Sequence, residues 1–187
     1  MENRYQKLAS STEVTAAIEQ IAAAITADFH DQQPLFVALL RGAAPFASKL
    51  MHAITKRDAI FHPELDYMMV STYGSGKHAG EPRIVTDLAP STIVTDRPVV
   101  IIDDVLDKGI TADFVAAHLQ KLAPRTIKLA VLCDKTTERL RDISADYVGF
   151  TFADNWLVGM GMDDAGAAPE GYRWLDEIWE IKRQQVT

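Results

Sequence analysis

The sequence predicts an α/β fold, a mostly parallel twisted sheet flanked by helices, and three observations lead there. Strand-like segments alternate with helical ones along the chain, the pattern that right-handed crossover connections produce. Two runs, Leu35–Leu40 and residues 99–102, are apolar without alternation, which suits central strands covered on both faces. At 187 residues the chain fits one domain (1–187) with a full core, and no repeat, linker or low-complexity segment divides it.

The elements follow in order. Ser10 and Glu13 form a capping-box pattern, and Val14, Ala17, Ile18, Ile21, Ala22 and Ile25 then keep helical spacing on one face, so a first helix begins here. Leu35–Leu40 is a buried strand that Arg41-Gly42 breaks, and 43–54 reads as a helix. Residues 67–71 are a further strand. Residues 74–80, three glycines among polar neighbours, read as a mobile loop. Residues 84–94 read as strand and turn. The strand at 99–102 is followed, after a turn, by a helix whose apolar face carries Phe114, Val115, Leu119 and Leu122. A strand over 126–133 comes next, then short strands at 147–150 and 156–158. Residues 174–181 are amphipathic and fit either strand or helix.

Charge and cysteine content narrow the function classes. A formal net charge of −7 argues against broad, salt-driven nucleic-acid binding, which needs a basic face. An anionic substrate would have to rely on local helix ends and a few cations to outweigh that mean field. The single cysteine, Cys133, lies in an apolar run, permits no disulfide within the chain and reads as a small buried residue. No signal-peptide pattern and no membrane-length apolar run is present, so cytoplasmic residence with no membrane partner is expected.

The most informative stretch is residues 99–111, Val-Val-Ile-Ile-Asp-Asp-Val-Leu-Asp-Lys-Gly-Ile-Thr. A buried strand delivers carboxylates and a turn to the carboxyl edge of the sheet, where open α/β sheets bind ligands. Gly109 lets the backbone approach closely, the amides opening the next helix lack intrahelical partners, and Thr111 adds a hydroxyl donor. The result is a phosphate cradle, but not the Walker type, because Gly-x-x-x-x-Gly-Lys-Ser/Thr is absent; no Gly-x-Gly-x-x-Gly follows a strand either. Asp103 and Asp104, being anionic, do not bind phosphate directly. They can accept hydrogen bonds from sugar hydroxyls or hold Mg²⁺ through water, and strand alternation points them to opposite faces. Asp107 comes later, inside the turn, placed to approach a reacting group.

This run resembles the 5-phosphoribosyl-1-pyrophosphate (PRPP) signature of the type I phosphoribosyltransferases: an apolar strand, two acids, two apolar residues, then Asp-Thr/Ser-Gly-x-Thr. Lys108 stands where Thr or Ser is usual and brings a cation beside the phosphate. Asp103 stands where the purine enzymes have Glu, keeping the charge with a shorter reach. Further matches continue in the family's order over roughly 35–175. Leu40-Arg41-Gly42 is similar to the Leu-Lys/Arg-Gly loop, often with a cis peptide between its first two residues, which implies pyrophosphate binding by Arg41 and Gly42. Ser71-Thr72-Tyr73-Gly74 resembles the start of the catalytic lid, which implies that Thr72 and Tyr73 meet the ligand when a water-excluding loop closes. Lys135 matches the lysine that faces the exocyclic oxygen of a 6-oxopurine, with Asp134 where an apolar residue is usual. Asp146-Tyr147-Val148-Gly149-Phe150 and the stretch from Asp154 to Asp163 resemble the purine-binding segment of the hypoxanthine–guanine enzymes. That match implies stacking by Trp156, backbone recognition by Leu157 and Mg²⁺ binding by Asp163. Arg173 matches an arginine used near pyrophosphate.

Taken together, the resemblance implies the type I phosphoribosyltransferase fold with a small base-binding hood formed by the N- and C-terminal segments. It also implies Mg²⁺-dependent transfer of the phosphoribosyl group of PRPP to N9 of hypoxanthine or guanine, giving the nucleoside monophosphate and pyrophosphate. In that scheme Ile110, Thr111 and the turn amides of Lys108 and Gly109 hold the 5′-phosphate, and Asp103 and Asp104 fix the ribose hydroxyls through or beside Mg²⁺. Asp107 meets N7 of the purine. Family members are commonly dimeric or tetrameric, so a homodimer or homotetramer is expected. The alternative within the same fold is a regulator that binds nucleotide or PRPP and nucleic acid without turnover; the acidic charge and the lid motif count against it.

Overall fold

The structure, a computed structural model, describes residues 4–58, 60–73, 79–136 and 139–182, with backbone only at 72–73 and 79–80. Among the described residues two sheets are present. The larger has the strand order β4-β3-β2-β5-β6-β7, from β2 (Leu35–Leu40), β3 (Glu64–Tyr73), β4 (Ala79–Thr86), β5 (Pro98–Leu106), β6 (Thr126–Lys135) and β7 (Tyr147–Phe152). All its neighbours are parallel except the β3–β4 hairpin. The smaller sheet, order β1-β9-β8, is antiparallel and joins β1 (Tyr5–Ala9) to β8 (Leu157–Val158) and β9 (Ile178–Ile181), so the two ends of the chain meet in it.

Helices cover both faces of the large sheet. Helix α1 (Ser11–Asp28) carries the complete capping box: the Ser10 hydroxyl accepts from the Glu13 amide, and the Glu13 carboxylate accepts from the Ser10 amide. Its buried residues are the six that the spacing picks out, and all but Ala17 share one core with helix α2 (Ala44–Arg57) on one face. Helix α3 (Ile110–Gln120) covers the other. Strand alternation explains the split: Phe36, Ala38, Val100 and Ile102 face the α1/α2 core, while Leu35, Val37, Val99 and Ile101 face α3.

Several elements differ from the sequence expectation. Strand β5 runs on to Leu106, so Asp103 and Asp104 are strand residues and the turn begins at Asp107. Helix α3 ends at Gln120; Leu122 lies beyond it and is largely exposed, and Ala112 completes the buried face with Val115 and Leu119. Residues 174–181 resolve into a turn followed by β9, and Trp156 stands outside β8. Of the loop expected over 74–80, residues 74–78 lie outside the described residues, while 79–80 open β4. Strand β1 was not anticipated. It is five residues long, and its pairing partner lies at the opposite end of the chain.

Candidate active site

Register in the large sheet gathers the chemistry. Ala38 pairs with Ile102, so β2 ends level with the acidic end of β5, and the Arg41-Gly42 turn arrives beside Asp104. The Leu40-Arg41 peptide is cis. A Cβ on Gly42 would stand 2.2 Å from Asp104 Oδ2, so only glycine fits this approach. The next layer is as close. Gly161, at φ +109°, would place a Cβ 1.8 Å from the Gly42 carbonyl oxygen and 3.4 Å from Asp104 Cβ. Two backbone segments thus converge on Asp104.

On the other side, Leu106 pairs with Asp134, which sets Asp107 next to Lys135. The Lys135 ammonium, only 11% exposed, donates to Asp107 Oδ2 at 3.1 Å. Gly109 then turns the chain at φ +80° and serves as N-cap of α3, with no side chain capping the helix. The first-turn amides therefore face a crevice of about 440 Å³ rather than an internal partner. Asp103, Asp104, Lys108, Ile110 and Thr111 line the same crevice, and Arg173 closes its rim.

A second, contiguous pocket of about 210 Å³ is walled by Asp107, Lys135, Trp156, Leu157, Asp163 and Arg173. Asp104, Asp107 and Arg173 belong to both spaces. Trp156 is 58% exposed and forms a rim rather than core. The side chains of Thr72 and Tyr73, and Gly74 with the rest of the expected lid to residue 78, are outside the described residues, so the structure does not place them against the site.

The two adjacent carboxylates are electrostatically frustrated. Burial, then the charge of Asp104, pushes Asp103 well above the usual carboxylate range. Burial also raises Asp104, although hydrogen bonds from the Asp103 side chain and the Val105 amide and the charge of Arg173 oppose it. Such a pair is relieved by a cation or by hydroxyl donors. Among the described residues no three His, Cys, Asp or Glu side chains cluster tightly enough to hold a metal, so Asp103, Asp104 and Asp163 do not form one cage. Mg²⁺ does not require one. It is held by one or two carboxylates together with substrate oxygens and water, and the Asp103–Asp104 pair and Asp163 fit that donor set.

Four residues that the sequence reading missed support the site. Arg139 donates to the carbonyls of Leu106 (2.8 Å) and Asp107 and pairs with Asp134, holding the turn from behind. Glu170 accepts from Arg41 Nη1 and Arg173 Nε, each at 2.8 Å. Gly161 provides the close approach described above. Burial alone would raise Asp164, but the Tyr5 hydroxyl (2.8 Å), the Ala167 amide and Arg4 (2.9 Å) outweigh it and hold the carboxyl below its usual range. That residue ties β1 to the loop carrying Asp163. Glu170 and Arg173, three residues apart, had a visible ion-pair spacing; Arg139 carried no local signal.

Comparison with known proteins finds relatives along most of the chain. The profile of the phosphoribosyl transferase domain matches residues 5–165. The hypoxanthine-guanine phosphoribosyltransferase of Bacillus subtilis (strain 168) is 35% identical over 176 residues, which is 94% of this chain and 92% of that protein. The enzyme of the same name from Streptococcus agalactiae is 33% identical over 186 residues, 98% of this chain and 97% of that one. Among solved structures, a hypoxanthine phosphoribosyltransferase from Staphylococcus aureus superposes with a TM-score of 0.86 at 29% identity, covering 100% of this chain and 96% of the other.

Proposed function

Because the chain belongs to the phosphoribosyltransferase family, we propose that it is a purine-salvage enzyme that transfers the phosphoribosyl group of PRPP to N9 of hypoxanthine or guanine. The relatives at 33–35% identity bear that activity in their names. The observation that carries the proposal is that Asp107, Asp104 and Arg173 are shared walls of a phosphate-cradle crevice and a second pocket bearing Trp156 and Lys135. A sugar held between them has its phosphate at one end and a flat heterocycle at its reacting carbon.

The roles follow from the chemistry of each group. The α3 amides, with Ile110 and Thr111, hold the 5′-phosphate, and Lys108 adds a cation. Asp103 and Asp104 accept the ribose hydroxyls. Arg41, Gly42 and Arg173 receive the departing pyrophosphate, with Thr72 and Tyr73 covering it. Trp156 stacks on the purine, Leu157 offers backbone groups to its edge, and Lys135 donates to the 6-oxo group. An ammonium only donates, so the amino group of adenine is disfavoured there. Asp107, hydrogen-bonded to N7, accepts its proton as N9 attacks C1 of the ribose. Mg²⁺ at Asp103, Asp104 and Asp163 supplies positive charge to the pyrophosphate leaving group when bound. Positioning and charge stabilisation provide most of the rate.

The partners in this reading are PRPP and a 6-oxopurine, with no nucleic-acid or membrane partner. The net charge of −7 supports the former exclusion; for the latter, no helix among the described residues is long and apolar enough to cross a membrane. A homodimer or homotetramer in the cytoplasm accords with the family resemblance. A steady-state panel of hypoxanthine, guanine, xanthine and adenine with PRPP tests the assignment. The expected result is turnover of an oxopurine at least about 10²-fold above adenine, because a site built to pair a polar substituent rejects its mismatch strongly. Adenine as the best substrate would overturn it.

A further inference from the structure

Glu170 sits where an anion belongs. Its two carboxylate oxygens divide between two arginines: Oε1 is 2.8 Å from Arg41 Nη1, and Oε2 is 2.8 Å from Arg173 Nε. Arg173 lines the crevice with Gly42 and Asp104, and Arg41 precedes Gly42 on the same turn. The loop is shaped to put the carboxylate there. Glu170 adopts φ +62° and Tyr172 φ +69°, conformations that residues with side chains seldom take, and the Glu170 amide is anchored on Asp163 Oδ2 at 3.1 Å. Arg173 is held independently of Glu170, by Asp163 Oδ1 at 3.0 Å and by the Gly161 carbonyl. Loss of the Glu170 contact therefore leaves that guanidinium in place with one edge exposed. Arg41 and Glu170 are both more than half exposed, and exposed ion pairs are exchanged at little cost.

We propose that the Glu170 carboxylate is an internal counter-anion, occupying between Arg41 and Arg173 the seat that the diphosphate group of donor or product takes. It keeps the two guanidiniums aligned while the site is empty, yields when the diphosphate enters, and competes for the same donors as pyrophosphate departs. Pyrophosphate affinity is thereby kept lower than two arginines alone would set it. The idea presumes the transferase reading above only in naming the ligand; the competition itself follows from the geometry.

The test uses the full chain with magnesium pyrophosphate as probe. Glu170→Gln keeps the shape and removes the charge. It is expected to lower the Kd for magnesium pyrophosphate by about 3- to 10-fold, the effect of relieving two exposed ion pairs, and to lower the KM for PRPP without raising kcat. Glu170→Gly, which also suits the left-handed backbone, must tighten pyrophosphate in the same direction. Asp176→Asn is the control for a general field effect, since Asp176 pairs with Lys49 at 3.1 Å in the same segment; it is expected to change the Kd by less than about 2-fold. Equal or weaker pyrophosphate binding in both Glu170 variants overturns the proposal, and so does equal tightening by Asp176→Asn. If the wild type forms no nucleotide from PRPP and hypoxanthine while Glu170→Gln still tightens pyrophosphate, the counter-anion role stands and the transferase reading falls.

Discussion

Asp107→Ala is expected to lower kcat by about 10²–10⁴-fold, the range for loss of a positioned general base, while PRPP still binds. The separation of the two effects comes from how the turn is held. Arg139 grips the carbonyls of Leu106 and Asp107, and the Leu140 amide donates to the Lys108 carbonyl at 3.0 Å. None of these bonds uses the Asp107 side chain, so truncating it leaves the phosphate cradle standing. What is lost is the carboxylate on the common wall of the two pockets, together with the partner that Lys135 has at 3.1 Å. Rapid-quench measurement of nucleotide formation alongside equilibrium PRPP binding reads both quantities. Near-normal turnover in the variant would remove Asp107 from the chemistry.

Asp103→Asn is expected to weaken PRPP and to stabilise the ligand-free protein. A hydrogen bond to a charged group contributes about 1.5–3 kcal/mol, so the KM for PRPP should rise by about 10- to 150-fold. Local structure survives, because the Asp104 amide donates to Asp103 Oδ1 at 3.0 Å and an asparagine oxygen accepts the same bond. The stability gain has a definite pH dependence. Burial raises the folded-state pKa of Asp103 above that of the unfolded chain, so the folded state tolerates the protonated form and resists the charged one. The wild type therefore loses stability as pH rises through the raised folded value, whereas the asparagine variant keeps only the part of that loss that Asp104 contributes. The two should melt together near pH 4 and diverge above it. The variant's Tm should be higher by about 2–4 °C at pH 8, the shift that about 1 kcal/mol produces in a chain of this size. Thermal melts from pH 4 to 8 check the sign, and a lower Tm for the variant throughout that range would contradict it.

The opposite signs of those two effects express what the site requires. Burial makes both adjacent acids resist ionisation, and in the proposed reading a ligand rich in hydroxyls, or a divalent cation, offsets that cost. Gly42 and Gly161 serve the same end by letting backbone approach Asp104 where any side chain would collide.

Legibility in the sequence followed the range of the interactions. The first helix was readable down to its buried residues because its capping box and its 3.6-residue spacing are local. The central strands were readable because burial on both faces removes polar residues from the sequence itself. The carboxylates, the turn glycine and Lys135 stood out as contiguous motifs at strand ends. Strand β1 and the strand character of 178–181 were not legible, because each depends on the other across the length of the chain. Leu122 kept the helical spacing but fell past the end of α3, where it remains 40% exposed. Arg139 and Asp164 were hidden for the same reason as β1. Their roles lie in carbonyls and hydroxyls that approach only when distant segments fold together.

In the proposed reaction one crevice grips an activated sugar phosphate at the α3 N-terminus while presenting its reacting carbon to Asp107. A crystal structure with Mg²⁺ and PRPP tests it most directly. The expected result is the 5′-phosphate on the amides of residues 108–111, the ribose hydroxyls on Asp103 and Asp104, and the diphosphate beside Arg41 and Arg173. PRPP bound elsewhere, with the turn around Gly109 empty, would contradict it.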